Sequence, residues 1–237
     1  ITSSVLLHTF LLLLVFLCIV PFYYMLVNAT HTNAVIMTRF SLSFGNAFKR
    51  NLTTLSSVMN IGRVMLNSLA LAGGSTLISL YFSSLTSYGF AKFRFRFRNK
   101  IFMGILCTMM LPAQLGIIGF FQLMNSFGFM DTYLPMYLPA IANTGCVFFL
   151  HQYCRAYVPD SIIESGRIDG MNELGIFHRL VIPIMVPAIA TQAIFLFVGG
   201  WNNFLYPLLF LSSQEKYPIV LAVQQLTGVL TQDYGAT

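Results

Sequence analysis

The chain has 237 residues, of which 57% are hydrophobic, 15% are aromatic and only 8% are charged. Soluble domains carry about 25% charged residues, so this composition argues against a soluble enzyme, a disordered protein and a secreted disulfide scaffold. The formal net charge is +6, and we expect the basic residues to lie in cytoplasmic loops and to contact lipid headgroups rather than nucleic acid. The composition therefore predicts an all-α integral membrane protein that folds as a polytopic helical bundle.

Five stretches without a charged side chain are long enough to cross the hydrocarbon core as helices. They cover approximately residues 5–27, 64–91, 101–130, 133–153 and 180–212. The third and fifth exceed the required length, which indicates a tilt, a kink or an extra turn at the interface. Residues 1–237 are interpreted as a single transmembrane domain.

The first loop, residues 28–62, is long for a connection between helices in a bundle. Apolar residues recur in it at helical spacing after Ser43, which predicts a short helix at the membrane interface. These residues are Phe44, Ala47, Phe48, Leu52, Leu55 and Met59.

Basic residues concentrate in the loops at 92–100 and 154–179, and positive charge marks the cytoplasmic side of a membrane protein. In the first of these loops they alternate with phenylalanine. The basic residues are Lys92, Arg94, Arg96, Arg98 and Lys100. One interpretation is a nucleic-acid stacking strip, and the favoured alternative is a turn at the lipid interface with snorkelling cations.

The loop at 154–180 contains four of the seven acidic residues of the chain, Asp160, Glu164, Asp169 and Glu173. Ser161 and Glu164 have the spacing of a capping box, which predicts a helix that Ser161 caps, with Glu164 at its third position. Gly170 suits a left-handed stop, and a second helical face follows with Leu174, Phe177 and Val181. The pattern of helix, turn and helix fits either a docking element for a cytoplasmic partner or an amphipathic helix folded against the protein's own spans.

Residue order in this loop resembles a known signature. The loop reads Glu164-Ser165-Gly166, three residues, Gly170, nine residues and then Leu180-Val181-Ile182-Pro183. This order resembles the cytoplasmic "EAA" motif of ABC-importer permeases. Ser165 and Gly166 stand where that family has two alanines, and Ile182 stands where it has leucine. Asn67-Ser68-Leu69 and Trp201-Asn202-Asn203-Phe204 with Pro207 are similar to the carbohydrate-uptake branch, in particular to the smaller maltose-permease-type subunit.

The resemblance implies the permease subunit of a binding-protein-dependent importer of sugars or oligosaccharides in the bacterial cytoplasmic membrane, with a type I fold whose sixth span would follow Thr237. It implies a second homologous permease in a heterodimer, two cytoplasmic ATP-binding subunits and an extracytoplasmic solute-binding protein. Glu164 would make the anionic contact with the ATPase, and Gly170 would allow the sharp turn. Ser165, Gly166 and Asp169 would line the same contact.

No catalytic residue and no metal site is predicted. The sequence lacks a G-x-x-x-x-G-K-[ST] loop, so ATP and magnesium are expected in the partner ATPase subunits and no cofactor is expected in this chain. Polar residues within the spans are candidates for the solute path, because a buried amide needs a polar partner. These are Gln114, Asn143, Gln192, Asn202 and Asn203. For each of them the alternative is a hydrogen bond between helices.

Two other functions fit the same pattern. One is an integral-membrane enzyme or scaffold in which residues 155–180 cover an active site. The other is a sodium-coupled secondary transporter. The predicted spans contain no charged residue that could relay protons, which argues against a proton-driven carrier and leaves the sodium-coupled one open.

Overall fold

The computed structural model describes residues 2–229, and every regular element among them is helical. The helices are α1 Thr2–Asn28, α2 Asn33–Thr38, α3 Phe48–Val58, α4 Ile61–Lys92, α5 Arg98–Thr108, α6 Ile117–Ser126, α7 Leu134–Ile141, α8 Thr144–Tyr157, α9 Asp160–Ile168, α10 Glu173–Ile176, α11 Ile182–Trp201, α12 Leu205–Phe210 and α13 Ile219–Val229. Short 3-10 turns lie at Ala113–Gly116 and Gln214–Lys216, and a π-helical turn at Phe177–Val181 joins α10 to α11.

Within the described residues, three continuous helical segments are long and apolar enough to cross a membrane. They are Leu6–Asn28, Ile61–Lys92 and Glu173–Trp201. The first two coincide with predicted spans. The third begins seven residues before the predicted boundary at 180 and ends at Trp201, before 212. The bounds of the membrane crossing within this helix stay a prediction. The early start of the helix makes it continuous with the preceding loop.

Two predicted spans are broken rather than continuous. The stretch 101–130 breaks after Thr108 because Pro112 has extended backbone (φ −60, ψ 124) and no amide hydrogen to donate. The stretch 133–153 breaks at Asn143 (φ −74, ψ 94), whose side chain accepts a hydrogen bond from the Cys146 amide at 2.9 Å and so caps α8. The count of five membrane crossings stays a prediction.

The chain divides into two compact units, one from Ile1–Val64 and Ala222–Thr237 and one from Met65–Leu221. In the described part of the first unit, Asn51 Nδ2 donates to the carbonyls of Ala29 at 2.9 Å and His31 at 2.8 Å. The Thr30 hydroxyl accepts a hydrogen bond from the Gly45 amide, and the Thr30 carbonyl accepts one from the Ala47 amide, both at 2.8 Å. These bonds hold the chain in a non-helical conformation before α3. The helix predicted after Ser43 therefore starts at Phe48, and Phe44 and Ala47 precede it.

The core of the second unit lies where α4, α8, α9 and the segment from α10 to α11 meet. Leu150, Ile176, Phe177, Val181 and Met185 are fully buried there. Two of the three residues predicted for the second helical face, Phe177 and Val181, belong to this core, whereas Leu174 is 56% exposed. The loop after α8 is thus built into the hydrophobic core by its own apolar side chains.

Candidate functional site

The loop that follows α8 is fastened to the end of α4 by a partly buried ion pair. Lys92 Nζ lies 2.7 Å from Asp160 Oδ1 and also donates to the Val158 carbonyl at 2.5 Å. The Lys92 side chain is only 7% exposed, so it turns inward to the protein although it belongs to the basic turn. Its hydrogen bond and charge lower the pKa of the Asp160 carboxyl.

A second polar contact closes the base of the hairpin formed by α9 and α10. Arg167 Nε lies 2.7 Å from Glu173 Oε1, and the other Glu173 oxygen accepts from the Tyr88 hydroxyl at 2.9 Å. The Glu173 carboxylate raises the pKa of Arg167 above its ordinary value. Because both partners are more than 40% exposed, this pair contributes at most about 1 kcal/mol. Its main effect is to hold the two arms of the hairpin against α4.

The start of α9 differs from the predicted capping box. The helix begins at Asp160 after Pro159, and no side chain caps it. The fixed φ of −68 at Pro159 suits a helix entrance, and Asp160 places a negative charge in the first turn. Ser161 therefore lies inside the helix and is not its cap.

Gly170 ends the hairpin turn as predicted. It has φ +76, the left-handed conformation that glycine adopts without a steric cost. Its amide donates to the Arg167 carbonyl at 3.1 Å, and the Met171 amide donates to the Gly166 carbonyl at 2.9 Å. These bonds satisfy carbonyls at the end of α9 and fix the reversal of the chain.

Gly166 lies on the inner side of the hairpin. A Cβ there would meet Leu180 Cδ1 at 2.9 Å and Ile176 Cγ1 at 3.0 Å. The absence of a side chain lets α9 pack closely on the segment between α10 and α11. The structure therefore assigns Gly166 to packing within the chain, and its predicted contact with a partner stays a prediction.

The outward surface of the hairpin combines acidic and apolar side chains. Glu164, Ser165, Asp169 and Gly170 are all exposed. Ile168, which lies one turn beyond Glu164 on the same face of α9, is 86% exposed. Sequence reasoning missed Ile168, because a single apolar residue on a protein surface is common and carries no signal by itself. We call the exposed residues Glu164, Ser165, Ile168 and Asp169 the hairpin surface.

A small hollow of about 90 Å³ lies between α4, α7 and the junction of α11 and α12. Its polar lining consists of Ser68, Ser75 and Asn203, beside the indole of Trp201. The lining contains no charged residue. Gly200 allows the close approach of the two long helices there, because a Cβ at this position would lie 3.2 Å from the Ala72 Cα. The hollow suits an uncharged polar group.

The five predicted solute-path residues do not meet at one site. Gln114 is exposed in a 3-10 turn, and Gln192 is half-buried on α11. The side chains of Asn143 and Asn202 bond to nearby backbone, Asn202 to the Val198 carbonyl at 3.0 Å. Only Asn203 lines the hollow. A role in the path stays a prediction for all five.

At the opposite end of the second unit, Asp131 holds the loop between α12 and α13. Its carboxylate accepts from the amides of Ser212 and Ser213 at 3.0 Å each and from Lys216 Nζ at 2.7 Å. These hydrogen bonds lower the pKa of Asp131 well below its ordinary range. Sequence reasoning missed the contact because its partners are more than 80 positions apart.

The Asn67-Ser68 motif secures the same loop. Asn67 Nδ2 donates to the carbonyls of Glu215 at 2.8 Å and Tyr217 at 3.1 Å. The Ser68 hydroxyl accepts from the Ile219 amide at 2.7 Å. The motif that resembled the carbohydrate branch therefore ties the start of α4 to the loop after α12.

Comparison with known proteins identifies the family. Residues 81–235, well over half of the chain, match the family described as "Binding-protein-dependent transport system inner membrane component". The lactose transport system permease protein LacG of Rhizobium radiobacter is 32% identical over 96% of this chain and 83% of its own length. The arabinooligosaccharides permease AraQ of Bacillus subtilis is 36% identical over 71% of this chain and 59% of its own length.

More distant similarities agree with these. The sn-glycerol-3-phosphate permease UgpE of Salmonella typhimurium is 29% identical over 97% of this chain and 83% of its own length. The crystal structure of a bacterial ABC transporter that imports alginate contains a chain with a TM-score of 0.83 and 20% identity, over 98% of this chain and 89% of that one. This similarity confirms the all-α permease fold.

The predicted resemblance and the inner-membrane location are confirmed by the family description, and the names of the relatives are those of transport subunits. They decide against the membrane enzyme and the sodium-coupled carrier. The chain belongs to the family of binding-protein-dependent transport system inner membrane components.

Proposed function

We propose that this chain is the membrane-spanning permease subunit of an ATP-driven sugar importer, coupled to cytoplasmic ATPase subunits through residues 160–183. A second homologous permease completes a path that opens alternately to each side of the membrane, and an extracytoplasmic binding protein delivers the sugar. Two ATPase subunits bind ATP and magnesium. The family of the chain and the sugar-transport names of its relatives support this proposal.

The observation that carries the proposal is the continuity between the exposed hairpin and a membrane-length helix. From Glu173 to Trp201 the chain is helical without a break, a length of about 43 Å at 1.5 Å per residue. Ile163 of α9 and Phe177 of the π-helical turn are buried in the same core. Because packed side chains do not deform continuously, a partner that displaces α9 moves this helix as a rigid body.

The hairpin surface has the chemistry of a docking contact. Glu164 and Asp169 supply carboxylates, and Ile168 supplies an apolar group that is otherwise left in water. Such a surface suits an ATPase cleft with basic side chains or backbone amides at its rim and an apolar floor. Ser165 adds little bulk between them and so permits close approach.

We infer that the solute is a neutral sugar. The hollow beside Trp201 and Asn203 lacks a cation, whereas a phosphate group such as that of glycerol 3-phosphate needs charge-assisted donors. Amide and hydroxyl groups suit sugar hydroxyls, and an indole suits the apolar face of a sugar ring. A volume of about 90 Å³ holds about three waters, so movement of α11 must widen the path for a sugar to pass.

The coupling proposal is tested by Glu164→Ala in the full-length protein, expressed with its partner subunits. We expect loss of sugar uptake and at least a tenfold weaker association with the ATPase subunits, about 1.4 kcal/mol. Glu215→Ala is the matched control because it removes the same group from an exposed site at the opposite end of the second unit. ATPase association unchanged in Glu164→Ala, or equally weakened in Glu215→Ala, would contradict the proposal.

A further inference from the structure

The turn at residues 92–100 contains more basic side chains than its contacts within the protein require. Lys92 pairs with Asp160, and Arg98 Nη1 donates to the Phe93 carbonyl at 3.1 Å. Arg94, Arg96 and Lys100 are exposed, and no ion pair found within residues 2–229 includes them. The segment 92–100 contains no acidic residue. Three cations therefore lie close together on the surface. Arg94 interacts with the Asp160 carboxylate, which Lys92 already binds, and no acidic partner is found for Arg96 or Lys100 within residues 2–229.

The backbone of the turn places two of these cations, Arg96 and Lys100, against one aromatic ring. Phe97 has φ +65 and ψ 11, a left-handed conformation that is uncommon for a residue with a side chain. The Arg96 guanidinium carbon lies 4.8 Å from the centroid of the Phe97 ring, and Lys100 Nζ lies 5.5 Å from it. An open depression of about 450 Å³ results, lined by Arg94, Phe95, Phe97, Arg98, Asn99 and Lys100.

Apolar surface continues directly from this depression onto α5, which begins at Arg98. Met103 and Cys107 follow Lys100 at positions i+3 and i+7, on one face of that helix. Both are exposed, Met103 to 61%, and Phe97 itself is 54% exposed. A charged depression beside an exposed apolar strip matches a molecule with an anionic head and a hydrocarbon tail. In an inner-membrane protein the abundant molecule of that kind is an anionic phospholipid.

We propose that the turn at 92–100 is a binding site for an anionic phospholipid. The headgroup phosphate lies in the depression at Arg94 and Lys100, with Arg96 beside it on the Phe97 ring, and an acyl chain lies along Met103 and Cys107. Guanidinium groups donate paired hydrogen bonds to phosphate oxygens. This site is more specific than the general attraction of basic loops to a membrane. Lipid binding depends on these three cations and not on three basic residues in another loop. It does not depend on the proposed coupling to ATPases.

The test measures lipid selectivity by electron spin resonance. The full-length protein is reconstituted in phosphatidylcholine vesicles that contain a small amount of spin-labelled phosphatidylglycerol or spin-labelled phosphatidylcholine. For the triple variant Arg94→Gln/Arg96→Gln/Lys100→Gln, we expect the preference for phosphatidylglycerol to fall at least about fivefold, the factor for losing a single surface cation. High salt should reduce the preference of the unmodified protein in the same direction.

The matched control is Arg39→Gln/Lys49→Gln/Arg50→Gln, which removes three exposed positive charges from the first loop. It should change the preference by less than about twofold, since the charges that bind the headgroup remain. Arg94→Lys/Arg96→Lys retains the charge and should keep most of the preference, which separates lost binding from misfolding.

An equal fall in the two neutral triple variants, or an unchanged preference in the first, would overturn the proposal. So would weaker association of the first variant with the ATPase subunits while its lipid preference stays intact, because the turn would then be a protein-docking surface.

Discussion

Replacement of Gly170 by alanine isolates the backbone requirement of the hairpin turn. At φ +76 a Cβ would have no heavy atom within 4 Å outside its own neighbours, so the substitution causes no clash with the rest of the chain. The left-handed conformation costs an L-residue about 1–2 kcal/mol, and alanine regains about 0.4–1 kcal/mol by restricting the unfolded chain. The net loss is about 1 kcal/mol, or about 2–4 °C in unfolding temperature for a chain of this size.

The assay is thermal unfolding of the detergent-solubilised protein, together with co-purification of the ATPase subunits. Gly128→Ala is the matched control, because Gly128 has φ +71 and is equally unobstructed. Both variants should unfold at similarly reduced temperatures, but only Gly170→Ala should weaken ATPase association. Gly170→Asn should recover much of the loss, because asparagine tolerates the left-handed region. A Gly170→Ala protein as stable as the unmodified one, or an asparagine variant no better than alanine, would refute this reasoning.

Substitutions at two further positions test contacts at opposite ends of the second unit. Gly166→Val should destabilise the protein by about 1–3 kcal/mol, because the larger side chain overpacks against Ile176 and Leu180. Gly166→Ala should be nearly neutral, because the Leu180 methyl can shift and alanine favours the helix more than glycine does. Thermal unfolding of both variants tests this difference. Asp131→Asn should lower the unfolding temperature at neutral pH. Since the folded-state pKa of Asp131 is lowered, this difference should persist above about pH 4 and shrink as the pH falls below it; a difference that stays constant down to pH 3 would contradict the assignment.

The hairpin shows how far local sequence predicts structure. The left-handed stop at Gly170 followed from residue type alone, and the structure confirms it. The capping box at Ser161 was wrong, because the residue at the cap position is Pro159, two residues earlier, and its fixed φ defines the start of the helix equally well. The burial of Gly166 depends on Ile176 and Leu180, which approach it only after the chain reverses.

Hydropathy likewise identified apolar stretches but not their continuity. Pro112 and Asn143 interrupt helices inside stretches that are long enough to cross a membrane unbroken. In hydrocarbon such breaks are tolerated where neighbouring elements satisfy the freed backbone groups. At Asn143 the Ser83 hydroxyl donates to its carbonyl at 3.4 Å, a contact 60 positions away along the chain.

The amino-acid sequence by itself determined the membrane environment, the helical class and the hairpin that carries the family signature. These follow from composition, from runs of apolar residues and from residue spacing, all of which are local properties of a chain. Only the tertiary structure decided that Lys92 pairs with Asp160, that Asp131 pairs with Lys216 and that one continuous helix begins at Glu173. Which distant groups meet is set by packing, because burial of one common core selects a single arrangement among many that the local patterns allow.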